Sequence, residues 1–184
     1  MKINVQTIIE LYLEKGDLEY AGENVSQLEH AWQCGQLAKE SGANMQLQLA
    51  SWLHDFGHLL SKKEGTPTLY GYDDKHEIIG AKFLEHIFPA SVTDPIHMHV
   101  LAKRYLVTTD QTYKSKLSPD SIRSLTLQGG EMSANECEAF INRASSKDAI
   151  SLRYWDDIGK KKDWVMPNKQ NVINELTSLA ESCL

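Results

Sequence analysis

Four histidines and two aspartates in this sequence could together hold metal ions. They are His30, the adjacent pair His54 and Asp55, His76, His99 and Asp156. Imidazole and carboxylate ligands suit borderline cations such as iron, manganese or zinc better than calcium. Six such residues without a thiolate are more than one tetrahedral zinc ion uses. Because a carboxylate can bridge two ions through its two oxygens, the set favours a two-metal centre with Asp55 as the candidate bridge.

Each of these residues has a simpler interpretation when it is taken alone. A helical histidine is more often a partly buried side chain with a hydrogen-bond partner. We give His86 and His97 that interpretation, and Asp156 next to Asp157 could be a surface carboxylate. The metal-site prediction therefore rests on the ordered combination and not on any single pair.

The residues around this set follow helical patterns. Apolar side chains recur at helical spacing, and capping residues precede several of the runs. These signals predict about eight or nine helices, with runs near residues 8–16, 27–42, 45–53, 75–88, 94–105, 118–129, 149–158 and 168–182, and a further start at 133–136. We expect residues 1–184 to form one all-α helical bundle, in which ligands from separate helices converge. The loops at 16–24 and 64–74 are expected to lie over the site.

The composition limits the classes of molecule that the protein is expected to bind. The chain has 184 residues, with 19 Lys and Arg against 25 Asp and Glu, and a net charge of −6. This balance disfavours nucleic acid as a partner, although a positive pocket could still bind a small anion. The polar start and the lack of a long apolar run indicate neither a signal peptide nor a membrane span. Three scattered cysteines are typical of a reducing compartment, so we expect a cytoplasmic protein.

The ordered ligand set resembles the pattern of the HD-domain superfamily. Further short segments occur in one order with it, at residues 20–23, 27–30, 54–58, 76–77, 99–106, 128–130 and 155–156. Together, from about residue 18 to residue 162, they resemble the HD-domain mixed-valent diiron oxygenases of the PhnZ-type 2-amino-1-hydroxyethylphosphonate dioxygenase branch.

The resemblance implies a specific centre and reaction. Two iron ions, as Fe(II)/Fe(III), would be held by His30, His54, Asp55, His76, His99 and Asp156, with Asp55 as the bridge. Dioxygen would be the co-substrate. The implied reaction is cleavage of the C–P bond of (R)-2-amino-1-hydroxyethylphosphonate to glycine and phosphate.

The resemblance also implies roles for six further residues. Tyr20 would occupy an iron position until substrate displaces it, and Glu23 would receive the substrate ammonium. The phosphonate would be surrounded by His58, Lys103, Ser121 and Gln128.

The chemistry of these residues suits such roles. His58 and Lys103 each follow a predicted ligand by four residues, so each shares a helix face with it. Lysine offers a compact positive charge, and serine and glutamine offer neutral donors. Simpler interpretations remain for each: a solvated lysine, a cap-region serine at Ser121, a helix-end glutamine at Gln128, a loop carboxylate at Glu23, or a core tyrosine at Tyr20.

Three alternatives remain open at this point. The same chemistry could act on the N-trimethylated analogue, which would favour an aromatic cage to which Tyr72 or Trp155 could contribute. The chain could be a metal-dependent HD phosphohydrolase that activates water. It could also be a binding module without catalysis, although all ligand positions are filled. We expect a small organophosphonate as partner, and neither nucleic acid nor a membrane.

Overall fold

Helices follow one another along almost all of the described chain. The structure is a computed structural model, which describes residues 3–20, 23–61 and 67–184. Over these ranges the α-helices are α1 (Val5–Lys15), α2 (Gln27–Glu40), α3 (Met45–Leu53), α4 (Phe56–Leu60), α5 (His76–Leu84), α6 (Ala90–Thr109), α7 (Pro119–Leu127), α8 (Ala134–Ile141), α9 (Ser146–Ile158) and α10 (Lys169–Glu181). Short 3-10 turns lie at Pro67–Tyr70 and Lys114–Lys116. The described ranges contain no β-strand, so the all-α prediction is confirmed.

Polar caps define most of the helix starts. The side chains of Asn4, Ser26, Ser118 and Ser133 each accept a hydrogen bond from a backbone N–H in the first turn of the helix that follows. Such bonds satisfy donors that the helix itself leaves free. The signals at Ser26, Ser118 and Ser133 are local, which is why the sequence located the helices that follow them.

The helices that carry the predicted ligands form the middle of the bundle. Helix α2 packs on α3 and α9, α3 packs on α6, and α6 packs on both α5 and α9. The main core lies among these helices and is closed by α1 and α10, with Ile8, Leu28, Leu53, Phe56 and Leu176 fully buried. Burial of this apolar area is the main favourable term in folding. The central helices are therefore held rigidly where the site forms.

One close approach depends on a residue without a side chain. A Cβ built at Gly57 would lie 2.0 Å from the backbone oxygen of His76, inside any real contact distance. Glycine therefore lets α4 touch the first turn of α5. The contact brings His76 to the segment that carries Asp55.

The helices differ from the predictions in their number and in several boundaries. The described ranges hold ten α-helices, α5 ends at Leu84 instead of near residue 88, and α6 begins at Ala90, four residues before the predicted start. Pro89 is the N-cap of α6, and Pro95 lies in its second turn. Proline already has a helical φ, so Pro95 costs this helix one backbone donor without ending it.

Two predicted loops are only partly described. Residues 21–22 of the 16–24 loop and 64–66 of the 64–74 loop lie outside the described residues. The remaining part of the second loop contains the 3-10 turn Pro67–Tyr70. None of the described helices combines the length and apolar character that a membrane span requires.

Candidate metal centre and adjoining cavity

Six buried side chains, from four helices and the α3–α4 junction, meet in the middle of the bundle. His30 lies on α2, His54 directly after α3, Asp55 directly before α4, His76 at the start of α5, His99 on α6 and Asp156 on α9. None is more than 8% exposed. The structure thus brings together all the residues that the sequence singled out as metal ligands.

Two of the histidines lie near one oxygen of Asp55 and also near the carboxylate of Asp156. The Nε2 atoms of His30 and His54 lie 3.6 and 3.3 Å from Asp55 Oδ2. The same two nitrogens lie 3.4 and 3.7 Å from Asp156 Oδ1. We call His30, His54 and Asp156 the His30 group.

The other two residues face the second oxygen of Asp55. His76 Nε2 lies 3.2 Å and His99 Nε2 lies 3.6 Å from Asp55 Oδ1, and the two nitrogens are 3.2 Å apart. We call His76 and His99 the His76 group. Since each carboxylate oxygen of Asp55 faces a different group, the geometry is that of a bridging ligand.

The far nitrogen of every histidine in the cluster is anchored. Each Nδ1 lies within hydrogen-bond distance of an oxygen: Gly159 O (2.8 Å) for His30, Ser51 O (2.9 Å) for His54, Asp74 Oδ1 (3.0 Å) for His76 and Ile96 O (2.7 Å) for His99. An oxygen of this kind accepts only, so each Nδ1 carries the hydrogen. Each Nε2 is therefore turned towards the cluster, where it can bind a metal ion once it carries no proton.

This cluster has the donor set of a metal centre. Asp55 Oδ2 and Asp156 Oδ1 are buried without a hydrogen-bond partner. Burying such atoms unpaired is costly, so the arrangement favours cations between them. Ligand atoms about 2.1 Å from one ion lie about 3.0 to 3.4 Å from each other, close to the spacing within both groups. The residues present fit two borderline divalent or trivalent metal ions.

Without metal, burial and the charges within the cluster shift the pKa values of its own side chains. Burial lowers the pKa of His54, but the Asp55 charge and hydrogen bonds to Asp156 and Asp55 outweigh it and raise that pKa to about 10. Burial and the charges of His54 and His76 hold the pKa of His99 well below its usual value. Burial raises the pKa of Asp55, but His54 and neighbouring imidazole hydrogen bonds hold it well below its usual range. Such perturbation is typical of functional sites.

A cavity of about 580 Å³, measured out to its mouth, opens onto both groups. Its lining includes five of the six residues predicted to bind substrate, namely Tyr20, His58, Lys103, Ser121 and Gln128. Among the described residues Glu23 is not part of that lining, and its Oε1 is buried without a hydrogen-bond partner. The structure therefore gathers the predicted phosphonate contacts around one cavity, and Glu23 is not among its lining residues.

Lys103 gives the cavity a buried positive charge. The side chain is almost fully buried, and its Nζ donates to Ser124 Oγ at 2.7 Å. Burial lowers the pKa of Lys103 to about 7, and the nearby Arg153 charge acts in the same direction. An anion in the cavity would favour the charged form.

The remaining polar groups of the cavity have distinct partners. Ser121 Oγ accepts a 3.4 Å bond from the Arg153 guanidinium, whereas Gln128 Oε1 is buried without a partner. His58 Nδ1 lies 2.7 Å from Asp74 Oδ2, and its ring stacks on His76 with centroids 4.1 Å apart. Because Asp74 accepts from Nδ1, the other nitrogen of His58 remains for a ligand.

Tyr20 lies directly against the cluster. Its ring stacks on His30, with centroids 4.0 Å apart and planes inclined by 17°. Burial and the nearby carboxylates of Asp55 and Asp156 raise the pKa of its hydroxyl well above the usual value. Without metal, Tyr20 is therefore protonated at the edge of the cluster.

Sequence reasoning missed three functional candidates. Asp74 holds the outer nitrogens of both His58 and His76. Arg153 donates to Asp156 Oδ2 at 2.5 Å, and Lys160 Nζ lies 3.5 Å from Asp156 Oδ1. The last two lie three residues before and four residues after Asp156, so helical spacing could have found them.

The structure separates several other residues from the cluster. His86 is exposed and His97 is half-buried, and neither belongs to a described group of candidate metal ligands. Tyr72 lines the cavity, whereas Trp155 packs against the main core. Of the two aromatic side chains considered for a cage, the cavity contains Tyr72.

The chain is similar to known proteins along nearly its whole length. No protein-family model matches it. A 1-hydroxy-2-(trimethylamino)ethylphosphonate dioxygenase (glycine-betaine-forming) from Leisingera caerulea is 38% identical over 172 residues, covering 91% of this chain and 87% of the relative. A hydroxymethylphosphonate dioxygenase from Gimesia maris is 40% identical over 181 residues, covering 98% of this chain and 88% of the relative. An uncharacterized protein of Acanthamoeba polyphaga mimivirus is 38% identical over 159 residues, covering 85% and 73%.

Proposed function

The chain belongs to the phosphonate dioxygenase family, and on that premise we propose that it cleaves the C–P bond of a 1-hydroxyphosphonate with dioxygen. The observation that carries this proposal is a shared carboxylate, Asp55, between two groups of inward-facing imidazoles beside a cavity with a buried lysine. Atom balance fits one dioxygen per turnover. One of its oxygen atoms enters the carboxylate product and the other enters phosphate.

We assign the metal ligands from the two groups. His30, His54 and Asp156 would hold one ion, His76 and His99 would hold the other, and Asp55 would bind both. Bound iron, as an Fe(II)/Fe(III) pair, would supply the one-electron redox chemistry that a reaction with dioxygen requires. The anchored Nδ1 atoms orient the four rings before any metal binds.

The cavity side chains would bind and orient the phosphonate. Lys103 would supply its positive charge in a buried setting, where an ion pair is stronger than in water. Ser121 and Gln128 would add neutral hydrogen bonds. His58, held through Nδ1 by Asp74, would present its other nitrogen to the substrate. Tyr20, stacked on His30, would keep water from the His30 group until substrate takes its place.

Three substrates fit this general proposal. The sequence resemblance points to (R)-2-amino-1-hydroxyethylphosphonate, giving glycine and phosphate. The relatives' names add the N-trimethylated analogue, which would give glycine betaine, and hydroxymethylphosphonate. All three share the hydroxyl and the phosphonate on one carbon, which is the part that Lys103 and the predicted metal centre would recognise.

Phosphorus NMR tests the reaction class. Iron-reconstituted protein is incubated with each of the three phosphonates under air and under argon, and inorganic phosphate is followed with time. We expect phosphate under air with at least one substrate, and none under argon. Phosphate from a phosphomonoester under argon would instead establish a hydrolase. No phosphate from any phosphonate, with iron content verified, would overturn the proposal.

A further inference from the structure

One carboxylate at the wall of the cavity holds two imidazoles at once. Asp74 Oδ1 lies 3.0 Å from His76 Nδ1, and Asp74 Oδ2 lies 2.7 Å from His58 Nδ1. All three side chains line the cavity, and that of Asp74 is only 14% exposed. An ionised carboxylate only accepts hydrogen bonds, so both Nδ1 atoms carry a hydrogen. Asp74 therefore orients a predicted metal ligand and a predicted phosphonate contact together.

The two rings share Asp74 as their acceptor. Among the described residues, Glu77 Oε2 is the next carboxylate oxygen near His76 Nδ1, but at 3.9 Å it lies beyond hydrogen-bond distance. The ring of His58 also stacks on that of His76, with centroids 4.1 Å apart and planes inclined by 25°. A displacement of Asp74 would therefore affect both rings.

The backbone before α5 holds Asp74 in this place. Lys75, the N-cap of α5, has a left-handed backbone conformation with φ 53° and ψ 38°, which is unfavourable for a residue with a Cβ. Its backbone N–H donates to Asp73 Oδ1 at 3.2 Å, and Asp74 Oδ1 lies 3.4 Å from the backbone nitrogen of His76. Strained residues of this kind are common at functional sites. The turn thus presents the Asp74 carboxylate to both rings.

We propose that Asp74 is a positioning residue, which couples phosphonate binding by His58 to metal binding by His76 through its two carboxylate oxygens. This inference rests on the proposed function. A metal ion on His76 Nε2 would fix that ring, and the shared carboxylate would keep His58 Nε2 directed towards the phosphonate. Loss of Asp74 should therefore weaken two binding events, each through a different imidazole.

Zinc titrations in a calorimeter measure the effect on His76, and zinc has no redox chemistry of its own. Asp74→Ala should weaken binding at one of the two zinc sites by about 10- to 100-fold, the usual cost of losing the partner of a ligand's outer nitrogen. The loss should be the same in the His58→Ala background. His58→Ala alone should leave zinc affinity within about 2-fold of wild type.

Titrations with hydroxymethylphosphonate, at zinc concentrations that fill both sites, measure the effect on His58. His58→Ala and Asp74→Ala should each raise Kd about 10-fold, as loss of a hydrogen bond to a charged group does. The double variant should lie within about 2-fold of His58→Ala, because Asp74 acts on the phosphonate through His58. A carboxylate that only stabilised the start of α5 would weaken phosphonate binding whether or not His58 is present.

Two further variants keep the shape of the turn. Asp74→Asn has one side-chain oxygen with which to accept, so at least one of the two affinities should fall. Asp73→Asn makes the same change of charge at a neighbouring side chain that also lines the cavity. As the matched control, it should leave both affinities within about 2-fold of wild type.

Four results would each overturn the assignment: unchanged zinc affinity in Asp74→Ala, additive losses of phosphonate affinity in the double variant, wild-type affinities in Asp74→Asn, or equal losses in Asp73→Asn. If Asp74→Ala does not fold, Asp74→Asn takes its place in the cycle with His58→Ala. A wild type that binds zinc but none of the three phosphonates would instead contradict the proposed function itself.

Discussion

At the scale of single residues, the direction of each imidazole determines the chemistry of the site. Backbone oxygens of Ser51 and Ile96 accept from His54 and His99 within the same helical turn, so these rings are fixed by local structure. His76 differs, because its outer nitrogen is held by the carboxylate of Asp74. A negatively charged partner makes an imidazole a stronger ligand.

His76→Ala tests the assignment of the His76 group. Removing this ligand leaves only His99 and one oxygen of Asp55 for the second ion. We expect the iron content to fall towards one ion per chain, and phosphate production to fall at least about 100-fold, the upper range for loss of even an outer partner. Metal analysis and the NMR assay measure both. His86→Ala, at an exposed histidine, is the control. Full activity in His76→Ala would remove His76 from the ligand set.

Lys103 predicts a pH dependence of substrate binding. Its pKa of about 7 means that the free protein loses this positive charge as the pH rises through neutrality. We therefore expect KM for a phosphonate to increase above about pH 7, by up to about 10-fold, as a charge-assisted hydrogen bond becomes a neutral one. Lys103→Gln should raise KM at low pH and flatten this rise. A KM that has the same pH profile in both proteins would contradict the assignment.

At the scale of elements, the contact between α4 and α5 positions both halves of the centre. Asp55 precedes α4, His76 begins α5, and Gly57 allows the two to touch. A similar approach occurs where Gly35 of α2 leaves room for Trp52 of α3, next to His54. Small residues at these crossings allow the ligand-bearing helices to come close enough.

Gly57→Ala should disturb the centre from outside the ligand set. The added Cβ meets backbone of His76 at 2.0 Å, so the two helices must separate. We expect a loss of about 1 to 3 kcal/mol in the free energy of unfolding, as overpacking usually costs, together with weaker metal retention. Urea denaturation and metal analysis provide the measurements. Gly80→Ala is a milder comparison, because its Cβ would lie 3.0 Å from Gly57 N. Equal stability of Gly57→Ala and wild type would show that the close contact between α4 and α5 is not required.

At the scale of the whole molecule, metal binding links the central helices. The ligands come from α2, α5, α6 and α9 and from the α3–α4 junction. Any ligand that binds only the folded state stabilises it by mass action. The bundle and its metal content should therefore be interdependent.

Metal removal should lower the melting temperature. At a metal concentration 100 times Kd, binding adds about 2.7 kcal/mol, and for a chain of this size each kcal/mol shifts Tm by about 2 to 4 °C. We expect the chelator-treated protein to melt about 5 to 11 °C below the iron- or zinc-loaded protein in a calorimeter. Asp156→Asn should show a smaller difference in Tm between its metal-loaded and chelator-treated forms. An identical Tm with and without metal would argue against a metal bound in the middle of the bundle.

Much of this arrangement was predictable because it depends on local rules. Apolar spacing and capping residues located several helices, and the order of ligands along the chain matched a known pattern. Spacing by four residues put Lys103 on the face of α6 that carries His99, whereas His54 and His58 lie on either side of a break between α3 and α4. Helical spacing of three or four residues, applied to Asp156, would have identified Arg153 and Lys160.

Other features depend on contacts that spacing does not encode. Asp74 reaches two imidazoles from a non-helical segment, followed by Lys75 in the left-handed region at φ 53°. No spacing signal indicated that Glu23 would not line the cavity. The start of α6 was misplaced because Pro95 gives the same local signal in a second helical turn as in a first.

Binding of metal ions to the empty centre is also an exchange, because each ion must replace protons on the inward-facing nitrogens. With its pKa raised to about 10, His54 carries a proton at neutral pH when no metal is present, and the pKa values of His30 and His76 are raised as well. An arriving ion must expel these protons, so its apparent affinity should weaken as the surroundings become more acidic. Calorimetric titrations with zinc in two buffers of different ionisation enthalpy would count the protons released, and a count of zero would show that the empty centre is already deprotonated.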